Sequence, residues 1–250
     1  METLAVFHIL KNGGTTLVDR YRHNPTFVYQ RIDDEVMFNY KQSNQTKVYV
    51  NKCQDKNIRM IYGHGVDFEW DNHLQNPVKY ATILRNPITR IMSAYNYFKL
   101  EMINIHNHIT DMDIQTWIIN CDRLLPTPVY TQYQQFSNYR THRMRIDYGR
   151  QLDLSVQTKI YDEALENIEK LSHVLFMDDN YIEKFDNIAS TFGLTPNKSV
   201  THTHSTSQWL QEHGVDYVHF NDLYNIQKEL IMETVTKDLE FYSYCKERFA

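Results

Sequence analysis

Short apolar runs alternate with stretches of helical periodicity along the whole chain. Four runs read as strands: Leu4–Leu10, Arg59–Tyr62, Tyr80–Leu84 and His173–Met177. Pro87 to Leu100 is the clearest helix. Asn86 can cap it, Pro87 suits its first position, and Ile88, Ile91, Met92, Tyr95 and Phe98 fall on one face. A second helix is expected from Asn180 to Phe192, stopping at Gly193, and one or two amphipathic helices from about Asn221 to Phe249. Between Glu101 and Lys159 periodicity is poor and polar residues dominate, so this stretch reads as a helical or irregular excursion. The alternation predicts an α/β fold, a single domain over residues 1–250 with a central, mainly parallel sheet flanked by helices.

Composition narrows the function classes. Hydrophobic residues make up 42% and charged residues 23%, values ordinary for a globular chain. The longest apolar runs fall far short of the ~18 residues that cross a bilayer. Glu2 stands where a signal peptide carries positive charge, so the expectation is a cytoplasmic protein. Cys53, Cys121 and Cys245 are widely spaced with no CxxC, which excludes a disulfide framework and argues for free thiols over a zinc site. A net charge of −5 predicts no general affinity for nucleic acid or anionic membrane.

The chemistry concentrates at strand ends. In "FHILKNGGTTLVDR" (Phe7–Arg20) an apolar run gives way to a glycine loop and a helix start. Such a loop turns several backbone N–H groups toward one point, where the helix dipole favours an anion. Gly13 and Gly14 allow close approach, Thr15 and Thr16 offer hydroxyls, and Lys11 offers a mobile charge. A plain strand-to-helix turn that needed glycine is the structural alternative. The Walker loop does not fit, because the lysine precedes the glycines. In "YATILRNPITRIMSAY" (Tyr80–Tyr95), Arg85 ends a strand and Ser93 lies on the following helix, where both can reach a second phosphate. In "IRMIYGHGVDF" (Ile58–Phe68), His64 sits between Gly63 and Gly65. These segments and the opening loop hold four of the seven glycines, at the strand ends where open α/β sheets bind ligands. "HVLFMDD" (His173–Asp179) resembles a strand ending in a magnesium-binding aspartate, a common pattern of little weight. His106 with His108, and His202 with His204, lack a convincing third ligand, so no metal is expected.

Together these segments resemble the PAPS-dependent sulfotransferases (PAPS is 3′-phosphoadenosine 5′-phosphosulfate). "LKNGGTT" is similar to the loop that holds the 5′-phosphosulfate, which implies nucleotide contacts from Lys11, Asn12, Gly13, Gly14, Thr15 and Thr16. "LRNPITRIMSAY" resembles the 3′-phosphate motif, with a serine eight residues after the arginine, which implies the same for Arg85 and Ser93. "YGHGVDF" resembles the segment that carries the catalytic histidine in the uronyl 2-O-sulfotransferase branch. "VLFMDD" and "DLEFYSYCKERF" also look like that branch, and "SNYRTHR" (Ser137–Arg143) resembles an asparagine–x–x–threonine element of some relatives. "THTHSTSQ" (Thr201–Gln208) lies where relatives close a loop over the nucleotide, without their basic residues.

The resemblance implies a P-loop-like sulfotransferase fold and in-line sulfuryl transfer from PAPS, with PAP (3′,5′-adenosine bisphosphate) as product and no metal. Lys11 would stabilise the leaving oxygen and His64 would act as general base. The acceptor side would be the 101–159 excursion, with some of the 18 tyrosines lining it. Relatives in that branch act on polyanionic glycans through basic grooves. The acidic balance here favours a hydroxyl, or less readily an amine, of a neutral or cationic small-molecule metabolite or sugar. A P-loop nucleotide kinase, a glycan sulfotransferase and a non-catalytic nucleotide- or glycan-binding module are the alternatives. Nothing in the pattern specifies an oligomer.

Overall fold

The apolar run at the N-terminus becomes the middle of a sheet. The computed structural model describes residues 2–9, 11–30, 57–64, 66, 68–72, 74–106, 111–124, 132–137, 154–177, 180–201 and 205–250. Strand β1 (Thr3–Phe7) is buried at all five positions, as expected for a parallel strand covered on both faces. It lies between β3 (Met60–Gly63) and β4 (Val78–Leu84). With β2 (Phe27–Gln30) and β5 (His173–Phe176) outside them, the sheet has the order β2-β3-β1-β4-β5, every pair parallel. Phe7 sits opposite Gly63 on one side and Thr82 on the other. The segments that leave β1, β3 and β4 therefore emerge along one edge.

Helices cover both faces. Helices α1 (Gly14–Tyr21) and α5 (Tyr181–Thr191) place Leu17, Tyr21, Phe185 and Ala189 against Leu4, Val6, Met60, Tyr62, Ala81 and Ile83. On the other face, α4 (Leu154–Ile168) and α7 (Asn225–Phe249) bring Ile160, Ala164, Ile168 and Phe241 onto Ala5, Phe7, Ile61, Leu84 and Phe176. Alternate residues of β1 thus serve opposite faces, each buried large side chain stabilising by about 1.5–3 kcal/mol. Helices α2 (Pro87–His106) and α3 (Ile114–Leu124) pack with α7 in a further cluster around fully buried Trp117. Helix α6 (Thr206–Glu212) lies against α2 through Leu210 and Leu100. Short 3₁₀ turns occupy Phe68–Asn72, Tyr133–Phe136 and Phe220–Asp222.

Several boundaries differ from the pattern. β1 ends at Phe7, because the chain turns at once: Asn12 N–H reaches the Ile9 carbonyl, and Lys11 has a φ of 67°. β2 is an unanticipated edge strand. α2 runs on to His106, and residues 101–159 also hold α3, a 3₁₀ turn and the start of α4, so the described part of that stretch is mostly helical. Asp113 caps α3 through the Thr116 N–H at 2.7 Å. The C-terminal stretch is one helix of 25 residues, having neither glycine nor proline to interrupt it. Asn86 caps α2 as expected, accepting from the Ile88 and Thr89 N–H groups. Gly193 closes α5 with a φ of 77°.

Candidate active site

The loop after β1 is shaped by its two glycines for different reasons. Gly13 is left-handed, with a φ of 75°, and a Cβ there would lie 2.7 Å from the Tyr181 hydroxyl oxygen. Gly14 opens α1, and a Cβ there would lie 1.7 Å from Nε2 of His8. The N-cap position of α1 is Gly13, which has no side chain to cap the helix, so the first turn can present backbone N–H groups to an anion. Lys11 is the non-glycine with positive φ among the described residues, a conformation that costs roughly 1–2 kcal/mol. Backbone held this way is typical of functional loops.

The Asn12 side chain braces the loop. Its buried amide donates to the Ile83 carbonyl at 2.7 Å and to Oε1 of Gln132 at 2.8 Å, so its side chain ties the loop to the end of β4. Thr15 is exposed and Thr16 buried.

Lys11 points across to α2. Its Nζ lies 3.7 Å from the centroid of the Tyr97 ring, a cation–π geometry. Burial lowers its pKa to about 8, the Arg85 guanidinium adds to the drop, and Glu101 opposes it. Ser93, Tyr97 and Glu101 are spaced four residues apart on α2 and so share one face, the face that meets Lys11.

Arg85 stands just past β4. Its Nη1 donates to the Lys11 carbonyl at 2.9 Å and its Nε to Thr89 Oγ1 at 3.2 Å. Its main chain is clamped by one side chain: Gln132 accepts from the Arg85 N–H at 2.8 Å and donates to the Arg85 carbonyl at 2.7 Å. Gln132 is in turn held by fully buried Asp238, which accepts from the Gln132 and Tyr133 N–H groups at 2.6 and 3.3 Å. Buried Arg90 lies 3.6 Å from the same carboxylate. Burial pushes the Asp238 carboxyl up, while Arg90 and the N–H donors pull against it.

His64 follows Gly63 at the end of β3. Its Nδ1 is 2.7 Å from the His8 carbonyl, which can only accept, so Nδ1 carries the proton and Nε2 is the basic nitrogen. The His8 ring stacks on it, 4.0 Å between centroids and 20° between planes.

Lys11, His64 and Arg85 thus lie at the ends of three adjacent strands. Sequence reasoning missed Gln132, Asp238, His8, Tyr97 and Glu101. Only Asp238 carried a signal, as an acid within the buried stripe Ile231, Val235, Asp238, Phe241 and Cys245 of α7. Leu10, Gly65, Asp178, Asp179, His108, His202, His204, Cys53 and residues 138–143 lie outside the described residues. Cys245 is a buried free thiol, its pKa pushed up to about 12 by burial. Among the described residues no group of three His, Cys, Asp or Glu side chains is arranged to hold a metal ion, and no helix is long and apolar enough to cross a membrane.

No family model matches the chain, and no curated protein matches it. Among solved structures, a sulfotransferase from Alicyclobacillus acidocaldarius is similar over 97% of this chain and 95% of its own, at 12% identity and a TM-score of 0.45. A likeness at that level leaves the chemistry to be argued from the site itself.

Proposed function

We propose that the chain is a PAPS-dependent sulfotransferase, a single domain acting on a hydroxyl of a small-molecule metabolite or sugar. The observation that carries this reading is the convergence of a strained lysine–glycine loop, a clamped arginine and a tautomer-fixed histidine on one sheet edge. An uncapped helix start behind a loop with no room for a Cβ suits the 5′-phosphosulfate. Arg85, with Ser93 on the next helix, suits the 3′-phosphate.

The transfer follows from these parts. An acceptor oxygen attacks sulfur in line while the bond from sulfur to the bridging phosphate oxygen breaks. The acceptor's proton goes to Nε2 of His64, and the Lys11 ammonium meets the charge that grows on the departing PAP. No covalent enzyme intermediate is needed. A net charge of −5, with Glu101 beside Lys11, favours a neutral or cationic acceptor over a polyanionic glycan. Such an acceptor goes with a cytoplasmic enzyme.

The deciding experiment is a thermal shift with PAP against ATP–Mg, followed by labelled-sulfate transfer from PAPS to a panel of small-molecule and glycan acceptors. Stabilisation by PAP and a labelled small-molecule product are expected. Stabilisation by ATP–Mg alone would move the chain to the nucleotide kinases. PAP binding without any product would leave a nucleotide-binding module.

A further inference from the structure

We infer that His8 is a positioning residue that couples the anion loop to the His64 base, an inference that rests on the sulfotransferase reading for the role of His64. Three contacts meet at its imidazole. One is the stack on His64, with 4.0 Å between centroids and nearly parallel planes. The second is the tilted contact with the Tyr62 ring at 4.9 Å, which backs His8 onto β3. The third is with Gly14: a Cβ at that position would lie 1.7, 2.3 and 2.4 Å from three atoms of the His8 ring.

Position 14 opens a helix, where alanine is otherwise preferred to glycine. Its φ is not left-handed, so what a Cβ there would displace is the His8 ring and not the backbone. The main chain of His8 contributes as well, because its carbonyl fixes the tautomer of His64. Residue 8 therefore sets the proton on one nitrogen, the plane of the ring and the distance to the loop. When His64 takes up the acceptor's proton, its imidazolium faces an aromatic ring that stabilises cations. A shift of the loop on nucleotide binding also reaches the base through a single side chain.

The test combines turnover with a readout independent of activity. His8→Ala is expected to lower kcat by about ten- to a hundredfold, the cost of a base displaced by about an ångström, with PAP affinity by calorimetry falling by a much smaller factor. His8→Phe, which keeps a flat ring in the stack, is expected to restore most of the loss. In ligand-free protein, the His64 ring C–H resonances, shifted upfield by the stacked imidazole, are expected to move downfield in His8→Ala. Gly14→Ala should move the same resonances when His8 is present and not when residue 8 is alanine. Unchanged resonances in His8→Ala would overturn the inference, and so would a kcat that His8→Phe fails to rescue. If the wild type transfers no sulfate the functional reading fails, and the resonances still decide whether His8 orients His64.

Discussion

The main-chain carbonyl of Lys11 accepts a hydrogen bond from the Arg85 guanidinium at 2.9 Å. The loops after β1 and β4 are thereby clasped together, and they are the two loops that would hold opposite ends of PAPS. The bonds to Lys11 and Thr89 also fix the plane of the guanidinium fork. Arg85→Ala is expected to raise the KM for PAPS more than tenfold and, by freeing the Lys11 loop, to lower kcat severalfold. Arg85→Lys should not rescue it, because a point charge cannot reproduce the fork. Ser93→Ala should raise the same KM less. Steady-state kinetics with PAPS varied would refute the assignment if KM were unchanged in both.

The clamp beneath this clasp predicts a stability effect. Asp238 is fully buried, holds the Gln132 main chain and faces Arg90, which is buried too. Asp238→Ala strands the arginine, and removing one partner of such a pair typically costs about 3–5 kcal/mol. Thermal melts should show a large drop. Gln132→Ala, which empties a fully buried site and orphans the Arg85 main-chain groups, should lower the melting temperature as well, and it should weaken PAP binding, since it releases Asn12 and Arg85 together. A Gln132→Ala variant with unaltered PAP affinity would confine this residue to a structural role.

How much of this was legible in the sequence depends on how local each signal is. β1 and β4 were visible because strands covered on both faces read as nearly continuous apolar runs. β2 was not, although Phe27, Val28 and Tyr29 favour a strand, because four residues at the sheet edge are too short a run to stand out. Helix α4 was missed although Ile160, Ala164 and Ile168 mark one face, since alanine reads weakly as apolar. Lys11, His64 and Arg85 could be picked out because each stands at a strand end beside glycine or proline. Gln132 could not, because its partners Arg85, Asp238 and Asn12 lie 47, 106 and 120 residues away. A neutral amide in an aperiodic stretch has no local signature.

His64→Ala should separate chemistry from binding. The residue belongs to neither of the two motifs assigned to the phosphates, and its Nδ1 is engaged with the His8 carbonyl. Loss of a general base typically costs about 10²–10⁴-fold in turnover. Calorimetry should therefore find near wild-type affinity for PAP, with sulfated product reduced by that factor. Loss of PAP binding in this variant would make His64 a structural residue.

The lysine sets the alkaline limit. Lys11→Ala should lower turnover by about two to three orders of magnitude, as for other transition-state donors. Burial and Arg85 bring the Lys11 pKa down to about 8 in the free protein. Below that pH the ammonium is charged and can meet the nucleotide; above it the charge is lost, so kcat/KM for PAPS should fall as pH rises past about 8. Bound anions favour the charged form, so the same limb in kcat should lie at higher pH. Glu101 is the group that holds the pKa up, and Glu101→Gln should therefore move the kcat/KM limb to lower pH. The limb should be missing altogether in Lys11→Ala, whatever activity is left. A pH–rate profile in which Lys11→Ala keeps the wild-type limb would assign it to another group and remove Lys11 from the transfer step.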